Sequence, residues 1–300
     1  MTPSSKGGEA EATPRAPRTS RMPRRPLLVI DGDSFAHRAF HALPRSIRRA
    51  DGSPGNLLTG LVSMVLRLWQ AERPRAVFVG WDTLTVPTYR HELLAGYQAG
   101  REFDPELLEQ LDLAPGLLEA AGIACAKAAG FEADDFLAAA VASERRARGT
   151  SLVATSDRDA FQLAAKDVTI LQPVKGVSEL ARIGPDEVRE RYGVDPAQVP
   201  DFIALRGDPS DKIPGARGVG AKTAASLLGD YESLEALLSA GRFSAEAEAL
   251  RTYRHIATLD PSAPVPPLPD REPDWRAVGA AAEELGLGRL AGRLEEAASS

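Results

Sequence analysis

Cysteine occurs once in the 300 residues, as Cys125. A lone thiol has no disulfide partner, and its place in the apolar run IACA marks a buried, inert group and not a nucleophile. Long apolar runs are missing too: none reaches the length of a membrane-spanning helix, and the N-terminus lacks the apolar core of a secretory signal. These absences predict a soluble, cytoplasmic protein with no membrane partner. Net positive charge is also lacking. The formal charge of −6 argues at first against a nucleic-acid partner, whose phosphates call for a basic footprint.

What is present is a chain with 43% hydrophobic residues, enough for one large core or two modest ones. Residues 1–25 hold Pro, Ser, Gly and scattered Arg with little to bury, and predict a disordered basic leader. Five runs rich in β-branched or aromatic residues predict strands at 27–31, 76–82, 123–126, 151–157 and 168–172. Helical stretches separate them, LLTGLVSMVLRLWQAE (57–72) being the clearest. Alternation of this kind builds a central, mostly parallel sheet flanked by helices, an α/β core. From about residue 181 the strand signal stops, and short helices joined by Gly and Pro turns follow. The proline-rich stretch 259–273 predicts an extended connector before a last helix near 274–297.

In such a sheet the working site lies beyond the carboxyl ends of the strands, and the acids fall there. Asp31 closes the first predicted strand and Asp82 the second; Asp157 and Asp159 follow the fourth. Glu132, Asp134 and Asp135 open the helix leading into that fourth strand, and Asp208 and Asp211 sit in RGDPSDKIPG. Each acid alone is ordinary helix-cap or turn chemistry. Together they conflict with that explanation, because two carboxylates 4 to 5 Å apart repel by about 3 to 4 kcal/mol at an effective dielectric near 20. A positive charge must sit among them. No His or Cys accompanies the acids, so all-oxygen ligation points to Mg²⁺ or Mn²⁺ and not to zinc. More carboxylates than one ion can use suggest two ions, the arrangement that clamps the attacking and leaving oxygens of a phosphodiester. Setting those nine acids aside turns −6 into +3, so the acidic balance belongs largely to the site.

DGDSFAHRAFHAL (31–43), WDTLTVPTYRHELLAGYQAGR (81–101), GFEADD (130–135), TSDRDAFQL (155–163) and GDPSDKIPGARGVGAKTAASLL (207–228) occur in order. Together, over about residues 26–290, they resemble the bacterial 5′-nuclease family: the 5′–3′ exonuclease domain of DNA polymerase I and the stand-alone flap endonucleases. The resemblance implies a metal-dependent nuclease core of the PIN-like kind at 26–180, with a helical arch at about 83–115 that threads a single-stranded 5′ end. It implies a helical region at 181–300 carrying a helix-hairpin-helix, and a stand-alone member. The implied activity is structure-specific hydrolysis of DNA phosphodiesters at 5′ ends and flap junctions by a monomer, with RNA–DNA hybrids as further partners. The implied metal set is Asp31, Glu132, Asp134, Asp135, Asp157, Asp159, Asp208 and Asp211, with Asp82 in the outer shell. Arg38, Arg90, Gln98 and Arg101 fall at catalytic or phosphate-engaging positions, and Tyr89, His91 and Tyr97 mix base-stacking and phosphate-binding types.

GARGVGAKTAASLL nearly spells a P-loop, but Ala221 intervenes where Lys should follow Gly220. A helix, a glycine hairpin and a second helix fit better. Gly215, Gly218, Gly220, Lys222 and Thr223 then present backbone N–H groups and charge to a phosphate, and the resemblance implies duplex DNA bound there, often with a monovalent cation such as K⁺. The chain departs from the family at Gln98, where Lys is usual, and loss of one such preorganised cation can cost about 100-fold in rate. Asp33 is an additional acid, expected as a helix cap. Two rival readings are a PIN-type ribonuclease, which lacks the glycine hairpin, and a non-catalytic junction binder, which only Gln98 favours.

Overall fold

The computed structural model describes residues 24–84, 86–175 and 179–299, so the predicted leader lies outside it except for Arg24 and Arg25. Those two arginines pair with Asp270 and Glu272 at 2.8 and 3.0 Å. The chain order is β1 (Leu27–Asp31), α1 (Gly32–Ala42), α2 (Asn56–Glu72), β2 (Ala76–Gly80), α3 (Tyr89–Leu93), α4 (Pro105–Glu119), β3 (Ala124–Ala126), α5 (Ala133–Arg146) and β4 (Ser151–Ala154). Then come β5 (Val168–Lys175), β6 (Glu179–Ile183), α6 (Pro185–Tyr192), α7 (Val199–Arg206), α8 (Ala221–Tyr231), α9 (Leu234–Ser239), α10 (Ala247–Ala257), α11 (Trp275–Glu284) and α12 (Gly288–Ala298).

The sheet order is β3-β2-β1-β4-β5-β6, parallel except for the antiparallel last pair. β1 is central, which is why LLVID is apolar on both faces. Leu27 and Val29 point into a core shared with α5, α7, α8 and α10, while Leu28 and Ile30 point into one shared with α1, α2, α4, α11 and α12. The chain builds outward from β1 to β3, then returns to place β4 on the other side of β1. That reversal opens a crevice beyond the strand ends, with Asp31 on one lip and Asp157 and Asp159 on the other.

The five predicted strands are present, with β2 and β4 shorter than expected. β6 runs against the expectation that strands cease near 181, and the division at 180/181 cuts through it. Its sequence, ELARI, is short, interrupted by Glu179 and Arg182 and only partly buried because it closes the sheet at an open edge, so no apolar run announces it. The segment expected as an arch splits in two. Among the described residues of 83–104 the only helix is the short α3, whereas α4 buries Leu107, Gln110, Leu111 and Ala114 against the core. The helices expected as one C-terminal region also divide, α6 to α10 covering one sheet face and α11 and α12 the other, where Trp275 meets Trp69 edge-on at 5.6 Å. Among the described residues no helix is long and apolar enough to cross a membrane. Cys125 is free, and burial pushes its thiol up to about 12, which suppresses the nucleophilic thiolate.

Candidate functional site

Asp31 ends β1 and caps α1, its carboxylate accepting from the Ser34 amide at 2.9 Å and the Thr155 hydroxyl at 2.7 Å. Burial pushes its carboxyl up to about 7. Asp33, expected as the cap, lies instead in the first turn of α1 and accepts the Asp82 amide at 2.7 Å. Asp82 lies two residues beyond β2 and accepts the Ala133 amide at 2.5 Å, which joins the β2 end to the start of α5. Burial raises both carboxyls, and Asp82 raises Asp33 further. Glu132 caps α5 and accepts from the Thr88 and Tyr97 hydroxyls, each at 3.0 Å; burial pushes it up to about 7. Asp134 is held well above its usual range by burial, and its Oδ1 has no hydrogen-bond partner. Asp157 accepts the Asp159 amide at 2.9 Å, and burial raises both carboxyls. Asp208 and Asp211 stand in the loop between α7 and α8. Arg206 reaches Asp208 at 3.1 Å; Gln98 and Arg101 reach Asp211 at 3.2 and 3.0 Å. Burial, with the charge of Asp157 behind it, pushes Asp211 up to about 6.

Asp31, Asp82, Glu132, Asp134, Asp157, Asp159, Asp208 and Asp211 line one cavity of about 660 Å³, together with Asp33. Asp135 does not. It is fully buried and both of its oxygens accept from Arg90, each at 2.7 Å, with the Asp260 amide at 2.8 Å. Asp31, Asp33, Asp82, Glu132, Asp134, Asp157, Asp159 and Asp211, all raised by burial in one cleft, form a site built for cations. The unpartnered Oδ1 of Asp134 and the all-oxygen donor set fit hard divalent ions. Among the described residues no three acidic, histidine or cysteine side chains are yet closed around one ion, so binding calls for side-chain movement or bridging waters.

The residues expected to touch the substrate divide sharply. Arg90 is almost fully buried, donating to Asp135 and to the Ile256 carbonyl at 2.9 Å, so its charge serves the fold. Tyr97 is largely buried, with its hydroxyl on Glu132. His91 packs edge-on against Tyr97 at 5.2 Å and accepts the Thr88 amide at 3.1 Å. Tyr89 lies against His255 at 5.4 Å and under the Arg90 guanidinium. Arg38 turns to the Ser156 hydroxyl and the Pro173 carbonyl, each at 3.3 Å, and does not line the cavity. Gln98 and the exposed Arg101 do line it, as do the buried Arg90 and Tyr97 at its wall. Gly215 and Gly218 take φ of +76° and +77°, and Gly220 caps α8, whose first turn exposes Lys222 and Thr223. Thr88, Thr155 and Arg206 were missed. Arg206 had a legible signal, a basic residue directly before GDPSD, whereas the two threonines are defined only by what they face.

Comparison with known proteins agrees with this geometry. A family described as 5′-3′ exonuclease, N-terminal resolvase-like domain, matches residues 26–193, and one described as 5′-3′ exonuclease, C-terminal SAM fold, matches 194–271. A DNA polymerase I of Mycobacterium leprae is 44% identical over 240 residues, 78% of this chain and 26% of that protein. The chain thus spans about a quarter of the length of the polymerase relatives it matches. A 5′-3′ exonuclease of Mycobacterium tuberculosis is 38% identical over 251 residues, covering 76% of this chain and 78% of that one. The fold is also that of the T5 D15 protein crystallised with metal ions, with a TM-score of 0.68 at 18% identity over 91% of this chain and all of that one. A strand order that reverses beside β1, a carboxylate-lined crevice at that reversal and matches spanning residues 26–271 converge: the chain belongs to the 5′–3′ exonuclease family.

Proposed function

We propose that the chain hydrolyses DNA phosphodiester bonds at 5′ single-stranded ends and flap junctions, using two divalent ions, Mg²⁺ or Mn²⁺. The observation that carries this reading is the one cavity lined by nine carboxylates and reached by Gln98 and Arg101 from residues 83–104. Asp31, Glu132, Asp134, Asp157, Asp159, Asp208 and Asp211 would hold the ions, with Asp82 behind them and Asp135 outside the set. Bound there, the ions supply positive charge at the attacking and leaving oxygens of the phosphodiester.

The chain's own side chains do the rest. Arg101 and Arg206 pair with Asp211 and Asp208 at the cavity rim, where each guanidinium would also be placed to bind substrate phosphate. Gln98 offers an amide donor where the family usually has Lys, which lowers transition-state stabilisation without removing it. Thr88 and Tyr97 fix Glu132, so the position of the 83–104 segment and of a candidate ligand are coupled. The loop from Gly215 to Gly220 and the start of α8 present backbone N–H groups, with Lys222, to duplex phosphate, alongside a K⁺ ion. RNA–DNA hybrids, a monomeric state and a cytoplasmic location complete the reading.

A labelled 5′-flap DNA and a single-stranded RNA, each incubated with and without Mg²⁺ or Mn²⁺, test it. Expected are cleavage near the flap junction only with the ion, and a loss of at least about 100-fold in Asp157→Asn, the consequence of several kcal/mol of lost charge stabilisation. RNA-only cutting would favour the ribonuclease reading. Retention of the flap without cutting would favour a junction binder, the alternative that Gln98 supports.

A further inference from the structure

Arg206 places a cation inside the carboxylate cavity and is held there from several directions. It ends α7, its guanidinium lies over the Phe202 ring one turn earlier, 5.2 Å from the ring centre, and its Nε donates to the Gly207 carbonyl at 2.9 Å. Nη2 is thereby aimed at Asp208 Oδ2, 3.1 Å away. Side-chain exposures of 26% and 14% put this pair where salt screens it only in part. Asp208 is itself pinned. Its amide donates to the Ile213 carbonyl at 2.9 Å and its carbonyl accepts the Ile213 amide at 2.8 Å, which closes the loop, while its Oδ1 accepts the Ser210 amide at 2.8 Å and the Ser210 hydroxyl. A divalent ion that is to take Asp208 must therefore displace the guanidinium, because the carboxylate cannot swing away to meet it.

The opposite side of the cavity is arranged differently. Burial raises Asp159 first, and Asp157, Asp211 and Asp208 raise it further; burial raises Asp134 first, and Asp135, Glu132 and Asp157 add to it. Asp157 thus stands between two groups of acids. On the Asp134 side Arg90 gives both η nitrogens to Asp135 and comes only within 3.9 Å of Glu132, and Asp134 Oδ1 has no hydrogen-bond partner. On the Asp208 side Arg206 holds one carboxylate and draws the Asp159 carboxyl back down, while the more exposed Arg101 holds Asp211 at 3.0 Å. An ion entering beside Asp134 satisfies an unpartnered oxygen. One entering beside Asp208 breaks a hydrogen bond between charged groups and meets a like charge.

We propose that Arg206 is a resident counter-cation that sets the affinity of the second divalent ion: it keeps the Asp159 and Asp208 side weakly loaded, so that the two ions bind in order and cutting begins only where the divalent ion is abundant. This rests on the two-ion reading above. Arg206 acts through Asp208 and is in this respect a positioning residue. The test is Mn²⁺ binding to the full chain without DNA, with free Mn²⁺ measured by electron paramagnetic resonance, for wild type, Arg206→Gln and Arg206→Lys. Wild type is expected to fill in two phases. Arg206→Gln tightens the weaker phase about tenfold, which is what one hydrogen bond to a charged group contributes, and leaves the tighter phase unchanged. Arg206→Lys keeps the charge and stays close to wild type. Arg206→Met, which keeps an apolar stem against Phe202, is read in the same way where Arg206→Gln does not fold. Flap cleavage against Mn²⁺ concentration gives a second readout: the half-saturating concentration falls in Arg206→Gln even where the maximal rate falls too, because a lost phosphate contact slows the reaction without lowering its ion requirement. Ion binding that is unmoved or weaker in Arg206→Gln overturns the proposal; so does Arg206→Lys behaving like Arg206→Gln, or a wild type whose two ions bind equally. Each of those results removes this inference alone. Wild type that binds no Mn²⁺ and leaves the flap uncut removes the nuclease reading with it.

Discussion

Arg90 shows how far a residue's type and its role can diverge. In the sequence it stands among Tyr89, His91 and Tyr97 and has the character of a phosphate ligand. In the fold it is a buried cation whose two η nitrogens meet the two oxygens of Asp135. A buried bidentate pair tolerates loss of one partner poorly, because the other charge remains without water or counter-charge. Arg90→Met is therefore expected to destabilise the protein by about 3 to 5 kcal/mol, measured by urea unfolding, and to lower the fraction of folded, active molecules without changing the chemistry of those that remain. A variant as stable as wild type that fails to cut would instead return Arg90 to the substrate. EADD announces three acids but not which of them Arg90 takes. That choice rests on α3 packing over the start of α5, which brings residues 45 apart in the chain together.

At the scale of elements, the glycine hairpin was the most legible part and the arch the least. The hairpin depends on local backbone conformation, which glycine encodes directly. Gly215 and Gly218 both have positive φ, but a Cβ on Gly215 would lie 2.5 Å from the Gly207 nitrogen, whereas one on Gly218 meets open space. Gly218→Ala is expected to cost about 1 to 2 kcal/mol, the left-handed penalty alone, and Gly215→Ala clearly more, as read from thermal melts. Equal costs would show that the α7 to α8 loop is not packed as described. The arch, by contrast, was expected to run to 115, because PELLEQLDLAPGLL is as helical as an arch helix should be. Burial of Leu107, Leu111 and Ala114 decides that this helix is the return crossover to β3. β6 escaped notice for the opposite reason, since an exposed edge strand needs no apolar alternation.

For the whole molecule the governing quantity is the charge gathered in the carboxylate cavity. Asp31 and Glu132 are pushed up to about 7 and Asp211 to about 6, above their ordinary values of 3.8, 4.5 and 3.8. The folded protein then holds protons that the unfolded chain has already released. These groups therefore favour the folded state most below about pH 4, and that contribution is lost as pH rises through about 6 to 7. Melting of the metal-free protein is expected to fall between pH 5 and pH 8, with a shallower fall in Asp31→Asn. Mg²⁺ or Mn²⁺ at about 100 times its dissociation constant adds about 2.7 kcal/mol, or about 5 °C, and more at pH 8 than at pH 6 because protons compete for the same oxygens. A melting curve indifferent to divalent ions and to pH in this window would remove the electrostatic basis of the site.

The sequence by itself determined the parallel α/β core, the nine acids of the family motifs and the glycine hairpin, because strand periodicity, strand-end position and positive φ are local properties written in residue type. Only the tertiary structure decided which acids share the cavity. Asp135 is withdrawn by Arg90, Asp33 joins the cavity while accepting the Asp82 amide, and Tyr97 is turned inward onto Glu132. Each outcome depends on which way a side chain faces once distant segments pack, and residue spacing along the chain carries no record of that.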